Sequence, residues 1–131
     1  MKLRELAIHR LPGIAQGFTL SELAPGINVV TGPNASGKSS LVRALRAIVD
    51  PSSEAHGQVH VEASFADADG TLRATRLGAQ VHWTRAGERI AAPPLPNTQL
   101  LSCYTLGIED LLATDHPADA FIAERLAREL A

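Results

Sequence analysis

The chain has 131 residues, 45% of them apolar and 20% charged, which is typical of one globular domain, or part of one, and excludes a largely disordered chain. Twelve basic against fourteen acidic residues give a net charge of −2, so a uniformly basic nucleic-acid-binding surface is excluded, although a local basic patch is not. The single cysteine excludes an internal disulfide, and neither a signal-peptide pattern nor an apolar stretch long enough for a membrane helix occurs. We therefore expect a cytoplasmic protein without a membrane partner.

The first fifty residues predict three strands and a helix. Alternation of apolar and polar residues over 2–9 predicts the first strand, and the segment 18–20 predicts a short second one. The β-branched run 27–30 predicts a buried strand that leads into a glycine-rich loop. Helical spacing of apolar residues then predicts a helix over 37–49, which ends because Pro51 disfavours helical backbone before it. Its apolar stripe consists of Leu41, Val42, Leu45, Ile48 and Val49.

Three or four short strands with tight connections are predicted between residues 58 and 91. They cover 58–65, 71–77, 80–85 and 89–91, an arrangement that indicates an antiparallel meander. The first of these strands is expected to bury one face, formed by Val59, Val61, Ala63 and Phe65.

The C-terminal part of the chain predicts a connector and a helical segment. The proline-rich stretch 93–97 is a stiff spacer. Thr114 or Asp115 would cap a last helix, with Pro117 in its first turn. No stop signal precedes Ala131, which fits equally a chain cut near the start of a longer helix and a helix that frays at a natural terminus. The apolar stripe of this helix consists of Phe121, Ile122, Leu126 and Leu130.

A complete Walker A motif, Gly32-x4-Gly37-Lys38-Ser39, lies between the predicted buried strand and the helix. Its glycines let the backbone turn so that successive N–H groups form a nest for phosphate oxygens, and the following helix adds the positive end of its dipole. Lys38 would reach the β- and γ-phosphates, the Ser39 hydroxyl would bind Mg²⁺, and Ser40 would donate to the α-phosphate. The sequence therefore predicts a phosphate-binding loop.

The groups that such a loop needs for hydrolysis are weakly represented. No predicted strand ends in four apolar residues followed by an acid that could hold Mg²⁺ through water. The nearest candidates are Glu109 and Asp110, but Gly107 interrupts the apolar run, and the start of a solvated helix is the favoured interpretation. The absence of an Asn-Lys-x-Asp element argues against a GTPase, and the absence of an arginine-rich lid argues against a small kinase.

Other chemistry-bearing residues give weaker indications. Cys103 lies in an apolar stretch, which predicts a buried structural thiol rather than a nucleophile. Trp83 alternates with Val81, which predicts packing in the core rather than stacking on a nucleic-acid base. The histidines lack partners at metal-ligand spacing and are expected to be packing or surface residues; they are His9, His56, His60, His82 and His116.

Residues 25–41 resemble the nucleotide-binding start of the SMC, RecF and SbcC-type ATPases, which are the ABC-type heads of chromosome and DNA-repair proteins. The similarity is carried by the Pro-Gly-Ile-Asn lead-in at 25–28 and the Gly-Pro-Asn-x-Ser-Gly-Lys-Ser-Ser loop at 32–40. The resemblance implies an α/β P-loop NTPase fold, the N-terminal lobe of an ABC-type head with a mixed sheet, a P-loop helix and an antiparallel β subdomain.

A single lobe over 1–131 is expected from this resemblance. It would comprise a core at 1–50, the meander at 58–91 and a helical segment at 98–131 that leads towards a coiled coil.

The resemblance also implies a site for ATP and Mg²⁺. Arg10, near the end of the first strand, would lie close to the nucleotide. Gln99 is the best-placed candidate for the Q-loop glutamine that contacts Mg²⁺ together with Ser39. The phosphates would be wrapped by Gly32, Pro33, Asn34, Ala35, Ser36, Gly37, Lys38, Ser39 and Ser40.

The family's signature sequence, Walker B acid and switch histidine are missing from this chain, and in the family they lie in a C-terminal lobe. The implied function is Mg-ATP binding as the N-terminal half of a DNA-repair or chromosome-type ATPase head. Hydrolysis would require a C-terminal lobe, in cis or in trans, and a second head, and DNA binding is implied by resemblance alone. Two alternatives stay open: a stand-alone small P-loop NTPase or kinase, and a non-catalytic, nucleotide-responsive interaction module.

Overall fold

The computed structural model describes residues 1–33, 36–53, 56–95, 97 and 124–128. The chain divides into two compact units, Met1–Pro94 and Leu95–Ala131. In the second unit, residues 124–128 are helical, and Arg128 donates a hydrogen bond to Glu124 one turn earlier. No helix in the described part of the chain is both long enough and apolar enough to cross a membrane. The predictions made for Gln99, Cys103, Glu109, Asp110 and the cap at Thr114 or Asp115 lie outside the described residues.

Six strands form one sheet in the first unit, in the order β2-β1-β3-β4-β5-β6, and every neighbouring pair is antiparallel. The strands are β1 (Lys2–Arg10), β2 (Phe18–Leu20), β3 (His60–Asp67), β4 (Gly70–Leu77), β5 (Gln80–Arg85) and β6 (Glu88–Ile90). A short 3₁₀ helix, His56–Gln58, precedes β3. The first two predicted strands and the predicted meander are thus confirmed. Because β1 pairs with β3, the segments 1–50 and 58–91 share a single sheet.

The predicted α/β P-loop NTPase fold with a mixed sheet is wrong. The described residues of the first unit form an antiparallel sheet with two short helices instead. The predicted buried strand at 27–30 does not form: Ile27 is 95% exposed, Val29 is 81% exposed, and the segment has no regular secondary structure. A parallel strand is normally covered on both faces, and no described element covers this run. A strongly β-branched segment without a partner therefore stays outside the sheet.

Asn28 makes the contacts that shape this segment. Its side-chain oxygen accepts a hydrogen bond from the Ala24 N–H over 2.9 Å. Its Nδ2 donates to the carbonyl oxygens of Ala24 and Gly26 over 3.0 and 3.1 Å. These bonds satisfy the backbone of the turn locally, as asparagine side chains commonly do, and no inter-strand ladder is needed there.

The predicted inner face of the meander is confirmed. Val59, Val61, Ala63 and Phe65 are all buried, with at most 4% of each residue exposed. Trp83 on β5 is buried as well, and its ring lies 5.8 Å from that of Phe65 in a stacked arrangement. The prediction that Trp83 packs in the core is therefore confirmed.

The helix predicted over 37–49 is observed as α1 (Lys38–Val49). It packs on β1, β3 and β4. Its most buried residues are Ala44, Ala47 and Ile48, whereas Val42 is 48% exposed, so the predicted apolar stripe is only partly correct. Two alanines face the sheet because their small side chains let helix and sheet backbones approach closely.

Candidate phosphate-binding site

The N-terminus of α1 offers an uncompensated positive end. Gly37 caps the helix in the left-handed region, with φ 93° and ψ 8°, and its carbonyl oxygen accepts hydrogen bonds from the N–H groups of Ser40 and Leu41 over 3.0 and 3.3 Å. No side chain caps this end, and the first turn contains no acidic residue. The first N–H groups of a helix point away from its body and favour negative charge. This end of α1 is therefore suited to an anion.

The side chain of Lys38 forms hydrogen bonds with the backbone of the glycine-rich loop. Its Nζ donates hydrogen bonds to the carbonyl oxygens of Gly32 and Pro33, both over 2.6 Å, and lies 3.4 Å from the Ser36 Oγ. The Ser36 N–H donates to the Pro33 carbonyl over 3.3 Å. The ammonium group is thus held within the loop by neutral carbonyl dipoles. A phosphate would replace them with stronger, charge-assisted hydrogen bonds.

A cleft of about 520 Å³ opens beside this loop. One wall is formed by the loop and first turn of α1, and the other by the connection between β1 and β2. Its volume lies within the range of small-molecule sites. The lining residues are Gly13, Ile14, Ala15, Gln16, Phe18, Ser36, Gly37, Lys38, Ser39 and Ser40.

Close contacts fix both walls of the cleft to the rest of the unit. Arg43 on α1 donates a hydrogen bond from Nη1 to the Pro12 carbonyl over 3.0 Å, which ties the helix to the β1–β2 connection. A Cβ on Gly17 would lie 2.3 Å from the Ile8 carbonyl oxygen, so the connection lies flat on β1 only with glycine there. Contacts within the chain therefore fix α1 and the β1–β2 connection in place.

The structure brings together most of the loop residues predicted from the motif. Lys38 contacts Gly32, Pro33 and Ser36, and the run from Ser36 to Ser40 lines the cleft. The remaining predicted positions are less direct. Arg10 lines a different cleft, next to His9 and His60, and Asn34, Ala35 and Gln99 lie outside the described residues. The predicted roles of these four residues stay predictions.

Two features of the molecule were missed by the sequence reasoning. The first is the second wall of the cleft, because the Pro12-Gly13 turn signal does not indicate what the turn faces. The second is a cluster of His9, His60 and Glu62, which the pairing of β1 with β3 brings together. The sequence feature that points to this cluster is the two-residue spacing of His60 and Glu62, which places both side chains on one face of a strand.

The described lining of the cleft offers groups that can bind an anion or a metal ion. Its described lining contains one cationic side chain, that of Lys38, several hydroxyl groups and the helix N-terminus, but no Asp, Glu or His that could act as a general base. Such a set can hold a polyphosphate and a metal ion bound to it. Neither a protein-family model nor a curated protein matches the sequence.

Proposed function

We propose that this chain binds Mg-ATP, with the triphosphate held by residues 32–40 at the N-terminus of α1. The observation that carries this proposal is the position of Lys38, whose Nζ lies between the carbonyl oxygens of Gly32 and Pro33 at the edge of the cleft. A phosphate group that enters the loop meets this ammonium group and the helix N–H groups together. Both interactions favour a highly charged anion.

The magnesium ion would be bound by the Ser39 hydroxyl and by phosphate oxygens. Ser39 is exposed on the first turn of α1 and lines the cleft, so its hydroxyl is accessible to an ion carried by the nucleotide. Magnesium typically takes few protein ligands in nucleotide sites and keeps several waters. Adenine is favoured over guanine because the sequence lacks an Asn-Lys-x-Asp element.

Hydrolysis in this proposal depends on groups from outside the described residues. The described cleft lining offers no general base, and an exposed apolar run directly precedes the loop, including Ile27, Val29 and Val30. Both observations favour a complementing segment, in cis or in trans, that covers this run and supplies the missing acid. The likeness of residues 25–41 to SMC, RecF and SbcC-type ATPases suggests a cytoplasmic DNA-repair or chromosome-type ATPase in which a second head completes the site.

Titration of the full chain with a fluorescent ATP analogue, with and without Mg²⁺, tests the proposal. Lys38→Ala should weaken binding by about 10- to 100-fold, because it removes charge-assisted hydrogen bonds to phosphate. Lys2→Ala is the matched control, because Lys2 is the only other lysine and is exposed on β1. Inorganic tripolyphosphate should compete with the analogue, because the loop binds phosphates rather than the base.

The outcomes separate the alternatives. Equal affinity of the wild-type chain and Lys38→Ala would exclude the phosphate-loop assignment. Sustained ATP turnover by the chain alone would contradict dependence on a complementing segment and would favour a stand-alone NTPase. Self-association without any response to ATP would instead favour an interaction module.

A further inference from the structure

We propose that His9, His60 and Glu62 form a binding site for a divalent transition metal, with Zn²⁺ as its natural occupant. The three side chains each offer one ligand atom, and these atoms all lie within 4.8 Å of one another. Two imidazoles and a carboxylate are a donor set that zinc accepts readily. The site is separate from the phosphate loop and does not depend on the proposed function.

The pairing of β1 with β3 creates this cluster. Ala7 lies opposite Glu62, and Arg10 lies opposite His60, with a register shift between Ile8 and Arg10. His9 is the extra residue in this irregularity. A bulge of this kind re-aims a side chain, and bulges are frequent at functional sites. The bulge lets His9 approach His60 and Glu62 on the neighbouring strand.

The separations match the geometry of a metal site better than that of hydrogen bonds. The Glu62 Oε1 lies 3.5 Å from the His9 Nε2 and 3.4 Å from the His60 Nε2. Hydrogen bonds between nitrogen and oxygen are typically about 2.9–3.0 Å long. Ligands of a tetrahedral zinc ion, at bond lengths of about 2.0–2.1 Å, lie about 3.3 Å from one another. A single ion would therefore bind all three atoms once the two imidazole nitrogens, which lie within 4.8 Å of each other, reach a similar separation.

The arrangement leaves one position of a tetrahedral ion open. The three ligand side chains are each 35–46% exposed, so solvent reaches the cluster. The imidazole rings lie 4.3 Å apart at an angle of 34°, and both Nε2 atoms lie within 3.5 Å of the same carboxylate oxygen. His9 and His60 also line a cleft of about 400 Å³, which gives water or a small anion room at the fourth position. Three protein ligands with an open position are typical of zinc sites that activate water.

Titration of the chelator-treated, untagged full chain with Co²⁺ and Zn²⁺ tests this site. Co²⁺ should produce the visible ligand-field bands of a tetrahedral ion, and Zn²⁺ should displace it with one ion per chain. The double variant His9→Asn/His60→Asn should weaken Zn²⁺ binding by at least about 100-fold, and Glu62→Gln by about 10-fold or more. Matched controls are His116→Asn and Glu88→Gln, which remove the same groups elsewhere in the sequence.

Two results would overturn the proposal: equal Zn²⁺ affinity of the wild-type chain and the double variant, or an equal loss in the control variants. A measurement on the wild-type chain covers the case in which the double variant fails to fold. Paramagnetic Cu²⁺ at substoichiometric concentration should broaden the amide resonances of His9, His60 and Glu62 before those of β6. Uniform broadening over the chain would contradict a defined site.

Discussion

Arg76 on β4 donates a hydrogen bond from Nη1 to the carbonyl oxygen of Ala47 on α1 over 2.8 Å. Arg76 is completely buried, and its Nε also donates to the Gly78 carbonyl over 2.8 Å. The Ala47 carbonyl belongs to the last turn of α1, where backbone oxygens lack partners within the helix and the dipole is negative. A single cation thus links the sheet to the end of the helix that lies opposite the phosphate loop.

Replacing Arg76 should destabilise the fold without loss of side-chain bulk. Arg76→Met keeps an unbranched apolar chain but leaves the Ala47 and Gly78 carbonyls without this donor, which should lower the free energy of unfolding by at least about 2 kcal/mol. Urea unfolding followed by Trp83 fluorescence measures the loss. Arg73→Met, on the exposed face of the same strand, should stay within about 0.5 kcal/mol of wild type. Equal effects of the two substitutions would contradict this role of Arg76.

Gly37 should tolerate no side chain. Its φ of 93° lies in the left-handed region, and an added Cβ would lie 3.0 Å from the Phe18 Cε1. Gly37→Ala should therefore cost more than the roughly 1–2 kcal/mol expected for the backbone conformation alone, and it should also weaken ATP-analogue binding.

Two glycines separate these causes. At Gly87 the backbone has a positive φ of 85°, and an added Cβ would have no other atom within 4 Å. At Gly26 an added Cβ is equally free of contacts, and φ is not positive. Thermal unfolding should rank Gly37→Ala as the least stable, then Gly87→Ala, then Gly26→Ala. A Gly37→Ala variant as stable as Gly26→Ala would show that Phe18 and the loop adapt freely.

The ion pair between Asp67 and Arg85 should make stability depend on acid pH. Arg85 donates to both carboxylate oxygens of Asp67, over 3.0 and 2.7 Å, and the Asp69 N–H donates over 2.9 Å. The Arg85 hydrogen bonds hold the pKa of Asp67 at about 2, below its ordinary value of 3.8. Because this folded-state pKa is the lower one, the contribution is fully present above about pH 4 and is lost as the pH falls through 2.

Arg85→Gln should return the pKa of Asp67 towards 3.8, and an NMR titration of the carboxyl carbon measures this change directly. It should also remove part of the loss of stability between pH 4 and pH 2 that denaturant unfolding detects in the wild-type chain. Arg89→Gln, an exposed position on β6, is the control and should leave the Asp67 titration unchanged. An unchanged Asp67 pKa in Arg85→Gln would exclude the ion pair as its cause.

Val29 and Val61 should differ strongly in the loss of stability that the same substitution, valine to aspartate, causes. Val29 is 81% exposed, so Val29→Asp should change the free energy of unfolding by no more than about 0.5 kcal/mol. Val61 is completely buried on β3, so Val61→Asp should cost at least about 3 kcal/mol, because an unpaired charge enters the core. Circular dichroism during urea unfolding compares the two. A large loss in Val29→Asp would restore the buried strand that the sequence predicted.

The alternation of residues predicted more of the fold than β-branched composition did. Val59, Val61, Ala63 and Phe65 occupy every second position, and that period requires one buried face whichever strand lies beside it. The run at 27–30 is rich in β-branched residues, but its apolar residues do not alternate regularly with polar ones. Composition measures only how well a segment would fit a sheet, and a strand also needs a partner, which no local pattern specifies.

The two candidate sites, the glycine-rich loop and the metal cluster, also differ in how far the sequence predicts them. The motif predicted a tight backbone turn at its glycines and a helix that begins beside them, because both are local backbone requirements, and the structure has Gly37 in the left-handed region at the start of α1. The metal cluster joins His9 to Glu62, residues far apart in the chain. Their proximity depends on the register of β1 against β3 and on one bulge. Neither the register nor the bulge can be predicted from the local pattern of this sequence.

The strand order also sets the sequence of events in folding. β3, β4 and β5 each pair with the next strand along the chain, so the part from β3 to β6 can form from local hairpins. The pairing of β1 with β3 can form only after β3 has been synthesised. The helix α1 packs on β3 and β4 as well as on β1. On a ribosome, β1, β2 and α1 emerge before the surface that holds them exists, and closing the intervening loop costs entropy. The walls of the cleft beside residues 32–40 are therefore among the last parts of the first unit to be secured, and a nucleotide that binds as we propose would find a complete site only after the meander has formed.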